Sequence, residues 1–385
     1  MSTIKVKSND RSADRFVPKG CALGHSGRAI TGKIRDYTSA REYDDGGASQ
    51  GKLASDRSLS LLIAPFRSSA APQLSFCVDS LRPQSKIAIS YRAANAMDDA
   101  IRKADVLIEA LSYIRTFRDR LTVIKLGGSA MEDPETLRAT LQDVVFMETV
   151  GMRPLLVHGG GKAIDRAMAA AGLKPRKVQG RRITDEATLE IVVRVLKDLS
   201  ANIESQIRRL GGRAIALCTG SLQCLFGEKL ILQHATGENL DLGRVGRVTR
   251  VDHELLSDFC AAGVVPVIPS LAQDSAGGWL NINADTAAAA VAANLRAEKL
   301  VLLTDTPGIL GDRRDETSLI RSLDSRGCHD LITRGTIDEG MVPKVEACLE
   351  SLTAGVRKTH IVDGRLRHSL LLEIYTDKGV GTEIK

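Results

Sequence analysis

Two short stretches decide the fold, each an apolar run closed by glycines: Leu121-Thr-Val-Ile-Lys-Leu-Gly-Gly128 and Pro154-Leu-Leu-Val-His-Gly-Gly-Gly161. Short apolar runs of this kind are typical of strands buried on both faces of a parallel sheet. Helical patterns follow them, over 134–150 and 164–171. The repeated order of strand, glycine turn and helix predicts βαβ units. The fold class is therefore α/β, with a mostly parallel open sheet sandwiched by helices.

The same alternation continues toward the C-terminus. Further strands are expected over 214–218, 264–268, 300–304 and 359–362, and further helices over 286–295 and 344–354.

Before the first strand, apolar residues recur at helical spacing over 97–118, among them Ile101, Leu107 and Leu111. This spacing predicts an N-terminal amphipathic helix. Its apolar face could pack on its own domain or pair with another subunit, and the sequence leaves both open.

The length of 385 residues predicts more than one domain, at roughly 100–200 residues per domain. We divide the chain into a low-complexity, disordered extension over 1–88, the N-terminal helix over 89–120, and two lobes over 121–270 and 271–385. The extension is rich in Ser, Gly, Arg and Asp and lacks hydrophobic periodicity, as flexible segments do.

The formal net charge of +6 is concentrated in the first segment. Residues 1–85 hold 13 basic and 8 acidic residues, whereas the rest of the chain holds 40 and 39 and is nearly neutral. Aromatic residues make up only 3%. A nearly neutral body with few aromatic side chains argues against nucleic-acid binding. No apolar run approaches the roughly 20 residues that cross a bilayer, so we expect no membrane partner.

Seven cysteines are spread along the chain without a Cys-x-x-Cys pair. This spacing favours free thiols in a reducing compartment over a disulfide or zinc framework. The first ten residues lack the apolar core of a signal peptide. We therefore expect a cytoplasmic protein.

The two glycine turns are candidate anion sites. In an open parallel sheet both lie at the carboxyl edge of the strands, where ligands bind. Glycine lets backbone N–H groups approach an anion, and the following helix adds partial positive charge. Either turn alone could be an ordinary tight turn, but together they favour phosphate. G-x-x-x-x-G-K-[ST] is absent, and neither strand is followed by G-x-G-x-x-G, which disfavours a P-loop enzyme and a dinucleotide dehydrogenase.

Charged residues near these turns could carry chemistry, and each also has an ordinary structural explanation. Lys125 could bind a phosphate or extend its ammonium group to water. Lys344 could likewise bind a phosphate, or be a solvated lysine at a helix start. Asp285 could hold both ammonium groups toward a transferring phosphoryl group, or cap the helix that follows. Arg182, beside Arg181, could bind a substrate carboxylate or belong to an exposed basic pair.

Six motifs in this order resemble those of the amino-acid kinase family, and within it the branch that phosphorylates N-acetyl-L-glutamate. The resemblance extends from about residue 97 to residue 385 and departs from the family pattern at Gln179 and Arg181. The motifs are Val123–Met131, Leu156–Lys162, Gly180–Asp185, Asn281–Ala287, Leu302–Leu310 and Gly340–Val345.

The resemblance implies the amino-acid kinase fold, with 121–270 as the amino-acid substrate-binding lobe and 271–385 as the ATP-binding lobe. It implies transfer of the γ-phosphoryl group of ATP to the side-chain carboxylate of N-acetyl-L-glutamate. The product would be N-acetyl-L-glutamyl 5-phosphate, a step of arginine biosynthesis. Mg²⁺ would arrive with ATP, and no dedicated metal site is expected because the sequence has no dense carboxylate cluster.

The resemblance also implies roles for individual residues. Lys125 and Lys344 would be catalytic and stabilise the transferring phosphoryl group, while Asp285 would orient both lysines. The substrate would be bound by Gly128, Gly160, Gly161, Arg182 and Asn281. The nucleotide would be bound by Asp305, Thr306, Pro307, Gly308, Ile309, Leu310, Thr336, Ile337 and Asp338.

The N-terminal helix resembles that of arginine-sensitive members, in which such helices interlace dimers into a ring-like hexamer. The stretch 368–382 resembles their arginine-site region. We therefore expect a homo-oligomer, a dimer or a hexamer, and hypothesise inhibition by arginine. Two other functions stay open: a family member with another acceptor, and a non-catalytic arginine-sensing protein on the same fold.

Overall fold

The computed structural model describes residues 83–385, apart from 179, 219–221, 234–238, 339 and 377–378. The extension predicted to be disordered over 1–88 lies almost entirely outside the described residues. Residues 88–385 form one compact unit. The division of this unit into two lobes at 270 and 271 stays a prediction.

The helices and strands that the sequence predicted are present in the described chain, together with further strands. The helices are α1 (Pro83–Phe117), α2 (Pro134–Thr149), α3 (Gly161–Ala170), α4 (Glu186–Arg209), α5 (His253–Ala261), α6 (Ala284–Leu295), α7 (Ser325–Thr333), α8 (Val342–Thr353) and α9 (Ser369–Ile374), with 3₁₀ turns at Gly128–Met131 and Glu316–Ser318. The strands are β1 (Leu121–Leu126), β2 (Arg153–His158), β3 (Lys177–Val178), β4 (Arg181–Arg182), β5 (Ala214–Ala216), β6 (Leu225–Gln233), β7 (Asn239–Val251), β8 (Val265–Pro269), β9 (Leu271–Gln273), β10 (Trp279–Ile282), β11 (Lys299–Thr304), β12 (Ser322–Leu323), β13 (Lys358–Asp363) and β14 (Thr382–Ile384).

The central sheet has eight strands in the order β12-β14-β13-β11-β1-β2-β8-β5. Its neighbouring strands are parallel except for the antiparallel pair β13–β14. The side chains of Val123, Ile124 and Leu126 on β1 are fully buried, which fits a strand covered on both faces. The predicted mostly parallel α/β sheet is confirmed. Since β1 and β2 are neighbours, their glycine turns lie side by side.

A small closed sheet of β10, β7, β6 and β9 and the antiparallel hairpin β3–β4 stand apart from the central sheet. Neither was predicted from the sequence. Both matter for the site, because β4 carries Arg182 and β10 carries Asn281.

The N-terminal helix α1 is present and begins earlier than the pattern over 97–118 indicated. In its middle, Leu107 and Ile108 are each 70% exposed, so this part of the apolar face does not pack on the described part of its own chain. The last turns do make contact: the ring of Tyr113 lies 6.3 Å from that of Tyr375, and Lys299 Nζ lies 4.7 Å from the ring centre of Phe117.

Among the helices of the described ranges, none combines the length and apolar character that crossing a membrane requires.

Candidate functional site

An open cleft of about 260 Å³ lies where β1 and β2 end. Both glycine turns line it, together with side chains from other elements. These include Lys125 at the end of β1, Arg182 on β4, Asn281 on β10 and Asp285 on α6. Residues from β1, β4, β10 and α6 therefore meet at the sheet edge that the sequence indicated.

Asp285 brings the two predicted lysines together. Its Oδ1 lies 2.8 Å from Nζ of Lys125, and its Oδ2 lies 3.0 Å from Nζ of Lys344. The side chains of Asp285 and Lys125 are almost fully buried, and that of Lys344 is 20% exposed. Lys125 therefore does not extend into water from the strand end, and Lys344 is not a freely solvated lysine.

The two ammonium groups keep Asp285 ionised. Burial alone would raise the pKa of its carboxyl group, but the charges of Lys125 and Lys344 and their hydrogen bonds outweigh burial and lower the pKa to about 2. Two cations and one anion leave the cluster with a net positive charge, which suits an anionic ligand.

Asp285 is not the cap of helix α6, which was the alternative that the sequence left open. Asn283 caps this helix, since its Oδ1 accepts hydrogen bonds from the backbone N–H groups of Asp285 and Thr286 at 2.9 and 3.1 Å. An Asn at the N-cap satisfies the free donors of the first turn. Asp285, inside that turn, is left free to pair with the lysines.

Close packing around Lys125 explains why a glycine follows two residues later. A methyl group on Gly127 would lie 2.6 Å from Nζ of Lys125 and 2.6 Å from the backbone oxygen of Leu303. The backbone oxygen cannot move aside as a flexible side chain could. Any side chain at residue 127 would therefore displace the lysine or the turn.

Buried His158 holds the second glycine turn. Its Nδ1 lies 2.9 Å from the backbone oxygen of Gly159, and its Nε2 lies 2.7 Å from Oγ of Ser200. Because a carbonyl oxygen can only accept, Nδ1 carries the proton of the neutral ring. Burial disfavours the charged ring and lowers the pKa of His158 to about 4. A neutral histidine therefore fixes the peptide that precedes Gly160.

A polar bridge joins the segments that follow the two glycine turns. The carboxylate of Glu132 accepts hydrogen bonds from Nζ of Lys162 at 2.7 Å and from Nη1 of Arg166 at 2.9 Å. Both cations are more than half exposed, so the bridge adds little stability. The carboxylate of Glu132 does, however, neutralise the charge of Lys162, a residue that lines the cleft.

Arg182 is buried rather than part of an exposed basic pair. Its Nη2 lies 2.5 Å from Oδ1 of Asp165 and donates to the backbone oxygen of Gly161 at 3.1 Å. The neighbouring Arg181 is half-buried and lines the cleft. The guanidinium of Arg182 is thus held beside the second glycine turn, where a carboxylate could be bound.

Asn281 lies at the same cleft, close to Arg182 in space. Its Nδ2 donates to Oγ1 of Thr184 at 3.0 Å, and that hydroxyl donates to the backbone oxygen of Arg182 at 2.9 Å. One threonine therefore links Arg182 and Asn281, two residues that the resemblance assigns to substrate binding.

The predicted nucleotide residues lie outside this cleft, in two segments. Residues 305–310 follow β11, and residues 336–338 precede α8. Nε of Arg313, three residues beyond the first segment, donates to the backbone oxygen of Thr336 in the second at 3.4 Å. Neither segment lines the cleft around Lys125.

Two of these predicted residues are part of the hydrophobic core. Ile309 and Ile337 are 2% and 5% exposed, so only their backbone groups could face a ligand. The N–H of Ile309 is already bonded to Oγ1 of Thr382 at 2.8 Å.

Over the described ranges, no group of three or more His, Cys, Asp or Glu side chains is arranged to hold a metal ion. Of the two acidic residues that line the cleft, Asp285 has the more buried side chain, and both of its oxygens face lysines.

Sequence reasoning missed four polar residues of the site: Asp165, Thr184, Asn283 and His158. Asn283 carried a signal, since Asn two residues before Asp285 is an equally good helix cap. The contacts of Thr184 and Asp165 join residues far apart in the chain, so no local pattern could reveal them.

Comparisons with known proteins show the family of this chain. The model of the amino acid kinase family matches residues 120–363. The acetylglutamate kinase of Moorella thermoacetica is 45% identical over 288 residues, 74% of this chain and 97% of that protein. That of Acaryochloris marina is 45% identical over 290 residues, 75% of this chain and 99% of that protein.

A solved structure also matches. N-acetylglutamate synthase from Neisseria gonorrhoeae, complexed with coenzyme A and N-acetyl-glutamate, has a TM-score of 0.65 and is 27% identical. The match covers 73% of this chain and 63% of that one. Because the family model covers more than half of the chain, and the acetylglutamate kinases align over nearly their whole length, this chain belongs to the amino acid kinase family.

Proposed function

We propose that this protein transfers the γ-phosphoryl group of ATP to the side-chain carboxylate of N-acetyl-L-glutamate, as a step of arginine biosynthesis. The observation that carries the proposal is the pairing of Lys125 and Lys344 on one buried carboxylate, Asp285, at a cleft lined by glycine turns. The 45% identity to acetylglutamate kinases supports the choice of acceptor.

The reaction needs positive charge and positioning more than proton transfer. An oxygen of the acceptor carboxylate forms a bond to the γ-phosphorus, the bond from that phosphorus to the β–γ bridging oxygen breaks, and ADP leaves with the electron pair. The acceptor carboxylate is ionised at pH 7, so no general base is required. Two anions must be brought together, and placed cations lower that cost.

The side chains of the cleft divide these tasks. Lys125 and Lys344 stabilise the charge on the transferring phosphoryl group, and Asp285 orients both ammonium groups. Backbone N–H groups of the glycine turns, at Gly128, Gly160 and Gly161, hold phosphoryl oxygens. Arg182 and Asn281 bind the α-carboxylate of the acceptor, away from the reacting atoms.

ATP is proposed to lie against residues 305–310 and 336–338, with its γ-phosphate directed at the lysines. Mg²⁺ is proposed to be held chiefly by the phosphates, because neither oxygen of Asp285 is free of a lysine. Bound in this way, the ion would neutralise part of the phosphate charge.

We also propose self-association and inhibition by arginine. The exposed apolar face of α1 supports the first, because such a face is usually covered by another surface. The second is supported by a contact between α1 and the stretch 368–382, in which the ring of Tyr375 lies 6.3 Å from that of Tyr113. Loss of activity on titration with arginine would support this regulation, and unchanged activity at millimolar arginine would reject it.

A cytoplasmic location is proposed as well. The five cysteines in the part of the chain that the structure describes are buried and unpaired, as in a reducing compartment.

The proposed function is tested by trapping the acyl phosphate. The protein is incubated with ATP, Mg²⁺ and N-acetyl-L-glutamate, and hydroxylamine converts the product to a hydroxamate. Unacetylated glutamate, aspartate and carbamate are compared as acceptors. The highest turnover per KM is expected with N-acetyl-L-glutamate. Preference for another acceptor would assign a different kinase activity, and no hydroxamate with any of them would favour the non-catalytic alternative.

A further inference from the structure

Thr184, directly beyond the hairpin β3–β4, has no exposed surface, and its hydroxyl makes two hydrogen bonds. It donates to the backbone oxygen of Arg182 at 2.9 Å and accepts from Nδ2 of Asn281 at 3.0 Å. Thr184 therefore contacts both residues proposed to bind the α-carboxylate of the acceptor, Arg182 at its backbone and Asn281 at its side chain.

The chemistry of the hydroxyl decides how Asn281 is presented. A threonine hydroxyl has a single proton. Thr184 uses it in the hydrogen bond to the Arg182 carbonyl, because that oxygen can only accept. Toward Asn281 the hydroxyl can then act only as an acceptor. The amide must turn its NH₂ group to Thr184, which leaves its second N–H for another acceptor. A carboxylate is such an acceptor, because it has no proton to donate.

The backbone of Thr184 is also fixed. Its N–H donates to the backbone oxygen of Leu242 at 2.9 Å, and its own backbone oxygen accepts from the N–H of Arg244 at 2.6 Å. Both partners belong to β7, so the hydroxyl is held against a sheet rather than on a free loop.

We infer that Thr184 is a positioning residue. Its hydroxyl orients the Asn281 amide as a hydrogen-bond donor and fixes the backbone at Arg182. Asn281 and Arg182 are thereby placed to bind the acceptor carboxylate. This inference rests on the proposed function. Thr184 has no hydrogen bond to Lys125, Asp285 or Lys344 among the contacts of the described residues. Its loss should therefore weaken acceptor binding and leave the phosphoryl-transfer step nearly intact.

The test uses Thr184→Val, which keeps the shape but removes the hydroxyl, and Thr184→Ser, which keeps the hydroxyl. Thr184→Val is expected to raise KM for N-acetyl-L-glutamate about tenfold, the scale of one lost hydrogen bond, with kcat and KM for ATP within about twofold of the wild type. Thr184→Ser is expected to stay within about threefold of the wild-type KM. If Thr184→Val does not fold, as judged by circular dichroism, Thr184→Ala replaces it with the same expectation.

A double-mutant cycle with Asn281→Ala separates positioning from a general packing effect. If Thr184 acts through Asn281, the double variant raises KM by less than the product of the two single effects. Equal KM in Thr184→Val and wild type, or strictly multiplicative effects in the cycle, would overturn the inference while the kinase activity stands. A wild-type protein that makes no hydroxamate from N-acetyl-L-glutamate would overturn the proposed function, and this inference with it.

Discussion

Lys344 Nζ, at the start of α8, lies 3.0 Å from Oδ2 of Asp285 at the start of α6, and the carboxylate is shared with Lys125 on β1. This one side chain sets the positions of two cations that come from distant parts of the chain. Its charge therefore determines whether the cleft presents a pair of aligned ammonium groups or two cations that repel each other.

Asp285→Asn is expected to lower kcat by roughly 100- to 1,000-fold, because the neutral amide cannot hold both ammonium groups. KM for the acceptor should change little, since Arg182 and Asn281 remain. Steady-state kinetics measure both parameters. Asp258→Asn, at an exposed position of α5, is the control and should retain wild-type kinetics. Full activity of Asp285→Asn would show that the reaction does not require this carboxylate.

Gly127→Ala is expected to lower kcat strongly and to destabilise the fold by about 1–3 kcal/mol, the cost of an overpacked site. The added methyl group would meet Nζ of Lys125 and the Leu303 oxygen. Kinetics and chemical denaturation measure the two effects. Gly311→Ala is the matched control, because its nearest atom would be 3.5 Å away. If both variants behave alike, steric contact with Lys125 is not the reason for a glycine at residue 127.

His158 should make the stability of the protein depend on pH. Burial lowers its pKa from 6.5 to about 4, so between these values the unfolded chain binds a proton that the folded protein does not. The contribution of His158 to the free energy of unfolding should therefore be fully present above pH 6.5. It should be lost as the pH drops toward 4, which lowers the free energy of unfolding by roughly 3 kcal/mol in total.

Denaturant unfolding at several pH values from 4 to 7 gives the free energy of unfolding of the wild type and of His158→Gln. The contribution of His158 is the difference between the slopes of the two plots of this free energy against pH. The glutamine variant is expected to have the flatter curve. The exposed His253→Gln, on α5, is the control and should follow the wild type. Parallel curves for wild type and His158→Gln would show that the buried ring does not titrate as proposed.

Leu107→Glu should reduce the size of the particle in solution, because it places a charge in the exposed apolar face of α1. Light scattering coupled to size-exclusion chromatography measures the mass. Thr116→Glu adds the same charge at another exposed position of this helix and should leave the mass unchanged. An unaltered mass in Leu107→Glu would mean that the subunits do not associate through this face.

The sequence revealed the central sheet well, because parallel strands buried on both faces are continuous apolar runs. Leu121–Leu126 was predicted with the bounds that the structure shows, and β2 with an error of one residue. The small closed sheet was not predicted. Its strand Leu225–Gln233 mixes glycine, charged and apolar residues in no regular alternation, so the pattern carries little information.

The candidate site could be predicted only in part. Lys125 and Asp285 stood out because a charge in or beside an apolar segment is costly without a partner. That they are partners of each other is a fact of the tertiary structure. The link between Asn281 and Thr184 spans 97 positions of the chain and leaves no trace in local spacing.

The shared carboxylate also has a consequence for synthesis on the ribosome. Lys125 and both glycine turns emerge early, but the second ammonium group arrives only with α8, and the sheet is completed by β14 at the very end of the chain. A polypeptide that ends before α8 would lack Lys344, and with it one of the two cations proposed to hold the transferring phosphoryl group. The proposed activity therefore requires nearly the whole chain to be made.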